Sequence, residues 1–299
     1  MEKYTMLTAL NMTVSILKLR IGAFIALAAL VGIVVGGDRV GLIEALVFCL
    51  AVLGASGAAG AFNQYYEREG DRLMARTFGR PFASGTLKEG PIWPLTFLML
   101  LVASLLMAWS VGGTLASFMV FLGAATYGGI YTVWLKRRTV WNVVIGGAAG
   151  SFAVLAGAAM AAPQFGPAIG PIPLVLSVVL FLWTPPHFWA LAVVRGEDYR
   201  RAGIPMLPVV ADASVWGPVI FSHVVVLVAL SLWPLWLGLG PVYGLFAVLG
   251  GAPFLWTSYK LMREPNKANA KAAFLASLAQ FALLSAGVLL DGAVTWALS

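Results

Sequence analysis

The chain reads as an all-α membrane protein of nine transmembrane helices, and three observations predict this. Hydrophobic residues fill 61% of its 299 positions and charged residues only 10%, more apolar surface than a soluble globule could hide. The apolar residues lie in long runs without alternation, which selects helices over a closed barrel, the two structures that satisfy their backbone in hydrocarbon. Lysine and arginine skip every second loop between those runs.

The runs fall near 21–37, 41–62, 92–111, 114–134, 141–162, 170–194, 216–236, 240–259 and 273–297. The first follows Lys18 and Arg20 and lacks a small-residue cleavage pattern, so it is expected to be a span rather than a secretory signal. The second enters a cluster of acids and arginines that begins at Asn63. The third and fourth lie between Lys88 and the basic triplet Lys136-Arg137-Arg138, and the fifth follows that triplet. The sixth contains Pro185 and Pro186, whose missing N–H groups predict a bend and a cavity wall. The seventh follows the basic residues of 195–201, and the eighth and ninth flank those of 260–271. Of 19 basic residues only Arg39 falls in a loop assigned to the outside. With Lys3 also inside, the positive-inside rule places the N-terminus in the cytoplasm and, after nine crossings, the C-terminus outside.

The net charge of +7 thus serves topology, and nothing supports nucleic-acid binding. Cys49 is the single cysteine, which excludes a disulfide framework and a thiolate metal site. The connections assigned outside are short, whereas 64–91 and 195–215 form long charged cytoplasmic loops, where function concentrates. Each follows a span with acids, arginines and then a Gly/Pro stretch, consistent with a weak internal duplication. One transmembrane domain over 1–299 is expected.

If the second helix continues to Asp71, then Asn63, Glu67 and Asp71 repeat at one-turn spacing on one face. Magnesium prefers oxygen ligands and commonly takes one or two carboxylates together with substrate phosphate oxygens, so these three are candidate metal ligands. The plainer alternative is a solvated helix end whose acids pair with Arg68 and Arg72. Glu69 points roughly 200° away from Glu67 in a helix and is the weakest of the acids. Arg76 and Arg80 follow in a segment broken by Gly79 and Pro81, where guanidinium forks could grip phosphate, or face anionic lipid instead. The Lys136-Arg137-Arg138 triplet has the same two readings, with the Tyr131 hydroxyl at its depth. In the second long loop, Glu197 or Asp198 could supply a further cation ligand. His187 is either a hydrogen-bonded packing residue or a ligand contact, and His223 is a weaker candidate.

Four motifs carry a resemblance: Asn63-x3-Glu67-x3-Asp71; Arg76-Thr77-x2-Arg80-Pro81; Tyr131-Thr132-x2-Leu135-Lys136-Arg137-Arg138-Thr139-x2-Asn142; and Trp183-Thr184-Pro185-Pro186-His187-Phe188-Trp189 with Asp198-Tyr199-x2-Ala202-Gly203-Ile204-Pro205-Met206-Leu207-Pro208. Together they resemble the protoheme IX farnesyltransferases, or haem O synthases, of the intramembrane aromatic-prenyltransferase superfamily, over roughly residues 16–290. The first motif is common to the superfamily, and the last two separate this family from quinone and chlorophyll relatives. The resemblance implies a nine-helix bundle around a central cavity, capped on the cytoplasmic side, where two acidic motifs hold Mg²⁺ against farnesyl diphosphate. It implies catalytic roles for Asn63, Glu67, Asp71, Arg76, Arg80 and Lys136, and adds Asp198 to the metal ligands. Substrate contacts fall to Tyr131, Arg137, Asn142, His187, Arg195, Glu197, Asp198 and Tyr199, with His187 facing haem iron or a propionate. The chain departs from the pattern at Glu67, where relatives usually carry Asp, and at adjacent Glu197-Asp198 in place of two acids four apart.

The implied reaction transfers farnesyl to a vinyl group of haem B and adds water, giving a hydroxyethylfarnesyl group. Haem B is then a substrate and Mg²⁺ the cofactor, with membrane lipid and a downstream haem A synthase as further partners. The expected location is a bacterial plasma (inner) membrane, since 1–6 lack an Arg/Ser-rich transit sequence, with the active site facing the cytoplasm. A quinone precursor or chlorophyllide as acceptor is the near alternative. A transporter is the distant one, and its charges should lie at the bilayer midplane.

Overall fold

Backbone polar groups in an apolar surrounding must be satisfied within their own segment, and residues 6–298, which the computed structural model describes, form helices and no strands. Lys3 lies outside the described residues. Helix α1 (Met6–Ile16) meets α2 (Leu19–Val34) at a 56° bend, and α3 (Leu42–Tyr66) passes through Glu67 into the short α4 (Arg68–Asp71). Next come α5 (Ile92–Ala125), continuing as a π-helix (Thr126–Leu135), then α6 (Asn142–Gly146), α7 (Ala148–Met160) and α8 (Pro171–Val194). The second long loop holds α9 (Gly196–Arg201) and α10 (Leu207–Val210); α11 (Ala213–Leu232), α12 (Pro241–Arg263) and α13 (Lys267–Leu298) complete the chain. Among the described residues six helical segments are long and apolar enough to cross a membrane, or seven if α1 and α2 make one bent span. The chain is therefore a multi-pass membrane protein.

The segment from Ile92 to Leu135 is assigned helix without interruption, yet Gly113 sits at φ 74, ψ −175. That conformation is open to glycine and strained for any other residue. Ser117 Oγ donates to the Leu105 carbonyl at 2.8 Å, whereas a straight helix would hold those residues about 18 Å apart. The chain therefore folds back on itself at Gly113, where the sequence separates its third and fourth runs. By contrast α8 keeps its helical assignment through Pro185 and Pro186.

Between helices in lipid, close van der Waals packing replaces the hydrophobic driving force, so small residues mark the contacts. A Cβ at Gly32 would strike the Val154 carbonyl, and one at Gly157 the Ala29 carbonyl, so α2 and α7 cross backbone to backbone. Asp291 of α13 accepts from Gly240 N at 2.7 Å and Tyr243 N at 3.3 Å, capping α12 from a neighbouring helix. The Tyr243 hydroxyl donates to the Ser231 carbonyl at 2.6 Å and ties α12 to α11.

The charged segments meet at one end of the bundle. Ala75 N donates to Asp198 Oδ1 at 3.1 Å, Arg137 Nη1 to the Ala202 carbonyl at 2.6 Å, and Asn142 Nδ2 to the carbonyls of Thr139 at 2.5 Å and Pro205 at 3.4 Å. These bonds lash the second long loop to the first and to the end of the π-helix.

Candidate active site

Helix α3 ends at Tyr66, but its hydrogen-bond ladder does not: Glu67 N donates to the Asn63 carbonyl at 2.9 Å and Asp71 N to the Glu67 carbonyl at 2.8 Å. One-turn spacing therefore survives the joint. Asn63, Glu67 and Asp71 are all buried, at 2%, 3% and 3% exposure, which is costly for carboxylates unless they are paired. Each is met by a cation from a different element. Lys18 Nζ donates to Asn63 Oδ1 at 2.6 Å, Lys136 Nζ to Glu67 Oε2 at 2.7 Å and Arg80 Nη1 to Asp71 Oδ2 at 2.7 Å. Arg68 and Arg72 pair elsewhere, with Glu89 at 2.5 Å and with exposed Glu69 at 2.8 Å. The outward acids thus pair with Arg68 and Arg72, and the inward acids with the partly buried cations Arg80 and Lys136.

Two features of local backbone build this ring. Lys18 occupies the left-handed region, φ 49 and ψ 42, at the joint of α1 and α2, a strained conformation for a lysine. The bend sends its side chain inward, where Nζ also donates to the Tyr127 hydroxyl at 3.0 Å. The second feature is the π-helix, a rare form that recurs at functional sites. Its i→i+5 bonding, seen in Lys136 N to the Tyr131 carbonyl at 2.9 Å, gathers Tyr127, Tyr131, Thr132 and Lys136 around the acids. Tyr127 and Tyr131 stack at 5.8 Å, Lys18 and Lys136 lie over their respective rings, and Asn63 Nδ2 donates to Thr132 Oγ1 at 2.9 Å. Burial pulls the Lys136 ammonium below the usual lysine range, against the opposing pull of Glu67. Lys18, Tyr127 and Thr132 are thus site residues beyond the acid and arginine motifs. Lys18 had read only as a topology determinant, because no local pattern announces a left-handed joint.

A metal ion fits this donor set in a limited way. Glu67 Oε1 is sealed from solvent and has no hydrogen-bond partner, a lone-pair site lacking the donor or cation it requires. Among the described residues, however, no three His, Cys, Asp or Glu side chains converge closely enough to cage an ion. Magnesium suits such a site, since it keeps waters and draws several ligands from substrate phosphates.

The remaining sequence candidates separate by position. Asp198 is buried, accepting from Ala75 N and, at 3.1 Å, from Arg201 Nη2, so it braces the two loops. Glu197 points to solvent and pairs with Arg200 at 2.9 Å; Arg195 and Arg76 are exposed. Arg76 nonetheless acts with Arg80 on the field around Tyr199, whose phenol burial holds above its ordinary range. Arg137 and Asn142 are anchored to the second loop by the bonds given above. His187 is buried in α8, stacked on Trp183 at 4.2 Å and Phe274 at 4.7 Å. His223 bonds the Val219 carbonyl of its own helix at 2.8 Å.

From His187 an aromatic wall runs inward through Trp183 to Phe281 and Phe24, at 5.7 Å per step beyond Trp183. It borders a half-open apolar cleft of about 40 Å³, lined by Val31, Val154, Leu180, Leu284 and Val288 among others. The combination offers an anion grip at the charged end of the bundle and a small apolar cleft bordered by the aromatic wall.

The UbiA prenyltransferase family matches residues 23–284. Protoheme IX farnesyltransferase 2 of Paramagnetospirillum magneticum is 49% identical over 283 residues, 94% of this chain and 97% of the relative. Protoheme IX farnesyltransferase 1 of the same organism is 43% identical over 93% and 97% of the two chains. Among solved structures, digeranylgeranylglyceryl phosphate synthase is similar with a TM-score of 0.76 and 17% identity, over 95% of this chain and 98% of that one. A UbiA homologue from Archaeoglobus fulgidus bound to GPP and Mg²⁺ gives a TM-score of 0.66 at 16% identity, over 92% and 99%.

Proposed function

From a chain that belongs to the UbiA prenyltransferase family and groups with its protoheme IX farnesyltransferases, we propose a haem O synthase that moves farnesyl from its diphosphate to a vinyl group of haem B. The observation that carries this reading is the ring of Lys18, Lys136 and Arg80 around buried Asn63, Glu67 and Asp71. Such a ring is built for a dense anion that arrives with its own divalent counter-ion.

Asn63, Glu67 and Asp71 would hold Mg²⁺, with Asp198 as a further ligand in this reading, and the ion would supply Lewis-acid neutralisation of the leaving diphosphate. Lys136, Arg80, Lys18 and Arg76 add charge where negative charge develops, in a site whose low dielectric strengthens them. Lys136, Arg80 and Lys18 rest on the carboxylates and the carboxamide, and phosphate oxygens would exchange for those contacts. The allylic C–O bond breaks with its electrons going to diphosphate. Tyr127, Tyr131 and Trp183 offer π faces to the allylic cation, and the apolar wall keeps bulk water from it. The vinyl π pair of the acceptor forms the new C–C bond. Water then adds to the resulting porphyrin-side cation, and its proton passes to the released diphosphate. Tyr131, Tyr199, His187, Arg137, Asn142, Arg195 and Glu197 complete the substrate contacts in this reading, some directly and others through the loop bonds they make.

Nine crossings in one domain over 1–299 are our count. The fold-back at Gly113, the bend at Lys18 and the 23-residue α12 supply the segments beyond the six. The charged end would face the cytoplasm of a bacterial inner membrane, with the C-terminus outside, as the basic loops demand. A downstream haem A synthase is the partner that would take the product. Against a transporter stands the location of the charges at helix ends. A quinone precursor or chlorophyllide acceptor would share the diphosphate grip. The test is an extract assay with haem B, farnesyl diphosphate and magnesium, following product mass. A haem product heavier by one farnesyl group and one water is expected; prenylation of a quinone precursor instead would reassign the acceptor.

A further inference from the structure

Gly70 is buried inside the short helix α4, and its backbone does not call for a glycine. Its φ is not positive, so alanine would fit the conformation and favour the helix more. A close neighbour accounts for the residue instead. A Cβ at Gly70 would overlap Nη2 of Arg137, and the three atoms nearest to it all belong to that guanidinium. Arg137 therefore lies directly on the backbone of α4.

Both ends of the guanidinium fork are engaged there. Nη1 donates to the Ala202 carbonyl at 2.6 Å, and Nη2 comes within 3.5 Å of Glu67 Oε2. That same oxygen accepts from Lys136 Nζ at 2.7 Å. Two cations thus converge on one oxygen of Glu67, which fixes the rotation of the carboxylate and leaves Oε1 as the lone-pair site without a partner. The Arg137 side chain is 42% exposed, toward an open groove lined by Tyr66, Glu67, Glu69 and Leu73. Solvent reaching that groove competes for the guanidinium, and a side chain at position 70 would push it outward. Groups that bond one side of a ligating carboxylate orient the other, and their loss costs roughly 10–100-fold in metal affinity.

Resting on the reading that Glu67 shares a divalent ion with diphosphate, we propose that Gly70 is a positioning residue of that site. By giving Arg137 room to lie on α4, it keeps Glu67 Oε2 occupied and turns Oε1 toward the ion. Gly70 itself touches no substrate.

The test uses the full chain in lipid nanodiscs with manganese as the probe ion. Its binding in the presence of a non-hydrolysable farnesyl diphosphate analogue is followed by electron paramagnetic resonance, and thermal midpoints are measured in parallel. Gly70→Ala, Arg137→Ala and the double variant form a cycle. The overlap in Gly70→Ala falls on the end of a flexible side chain, so the protein should fold with the guanidinium displaced and bind manganese about tenfold more weakly. Arg137→Ala should show a similar loss, and adding Gly70→Ala to it should weaken binding no further. The midpoints carry a second readout. Gly70→Ala should lower the midpoint in the wild-type background and hold or raise it beside Arg137→Ala, where alanine acts only as the better helix former. Equal losses on both backgrounds, or wild-type affinity in folded Gly70→Ala, overturn the inference and leave the metal reading standing. Wild type that binds no manganese with the analogue present overturns that reading and this inference with it.

Discussion

Asp71 and Glu69 lie two residues apart and have opposite surroundings, and that contrast gives the sharpest prediction at the residue scale. Asp71→Ala strands Arg80 beside the diphosphate grip, so farnesyl transfer should fall at least about a hundredfold, the loss expected when two charge-assisted contacts go. Glu69→Gln changes a 66% exposed side chain and should leave turnover within about twofold, as surface ion pairs contribute little. Side-by-side product assays on membranes of equal protein content check both. A second prediction concerns pH. Burial lowers the Lys136 proton affinity, so its ammonium is lost on raising pH earlier than a free lysine would lose it. The alkaline limb of the rate profile should therefore move to higher pH in Lys136→Arg, whose charge persists; a limb that stays put assigns it to another group. The acid spacing was legible in the sequence because it repeats at one helical turn. Lys18 was not, since its role depends on a left-handed joint and on a partner 45 residues away.

Among the elements, those that break the regular helix matter most to the site. Gly113→Ala places a Cβ at φ 74 and should cost about 1–3 kcal/mol, read as a lower thermal midpoint in detergent. Asp291→Ala leaves the Gly240 and Tyr243 amides without their acceptor and should cost a further 1–3 kcal/mol, roughly the penalty for unsatisfied buried donors. Both variants leave the acids intact, so residual activity per folded molecule should match wild type. The apolar runs gave the long helices to within about six residues of their observed bounds, the break between 111 and 114 coincides with Gly113, and α1, which precedes the first run, was not foreseen. The π-helix was not legible, because Thr126–Leu135 reads as ordinary apolar helix and only the i→i+5 backbone bonding reveals the wider turn. The short α9 and α10 within the second loop were equally hidden, since they accompany the docking of Asp198 onto the first loop and of Ala202 onto Arg137 beyond the π-helix.

At the scale of the whole molecule, the bundle separates two environments that the chemistry needs side by side. Charged loops from opposite halves of the sequence close over one end, and an aromatic wall leads from them to a small apolar cleft. Hydropathy and charge alternation made the all-helical membrane architecture readable, whereas of the cavity only one wall was legible, from Pro185 and Pro186, and its central place came from the motif resemblance. The central claim is that Glu67, Asp71 and Asn63 hold a divalent ion that shares its coordination with diphosphate. Its most direct test is the affinity of the purified protein for a non-hydrolysable farnesyl diphosphate analogue, measured with magnesium and with chelator, in wild type and in Glu67→Gln. Tight binding should need magnesium in wild type, and Glu67→Gln should lose about 10–100-fold of that magnesium-dependent affinity. Equal affinity in chelator and in magnesium would contradict the account.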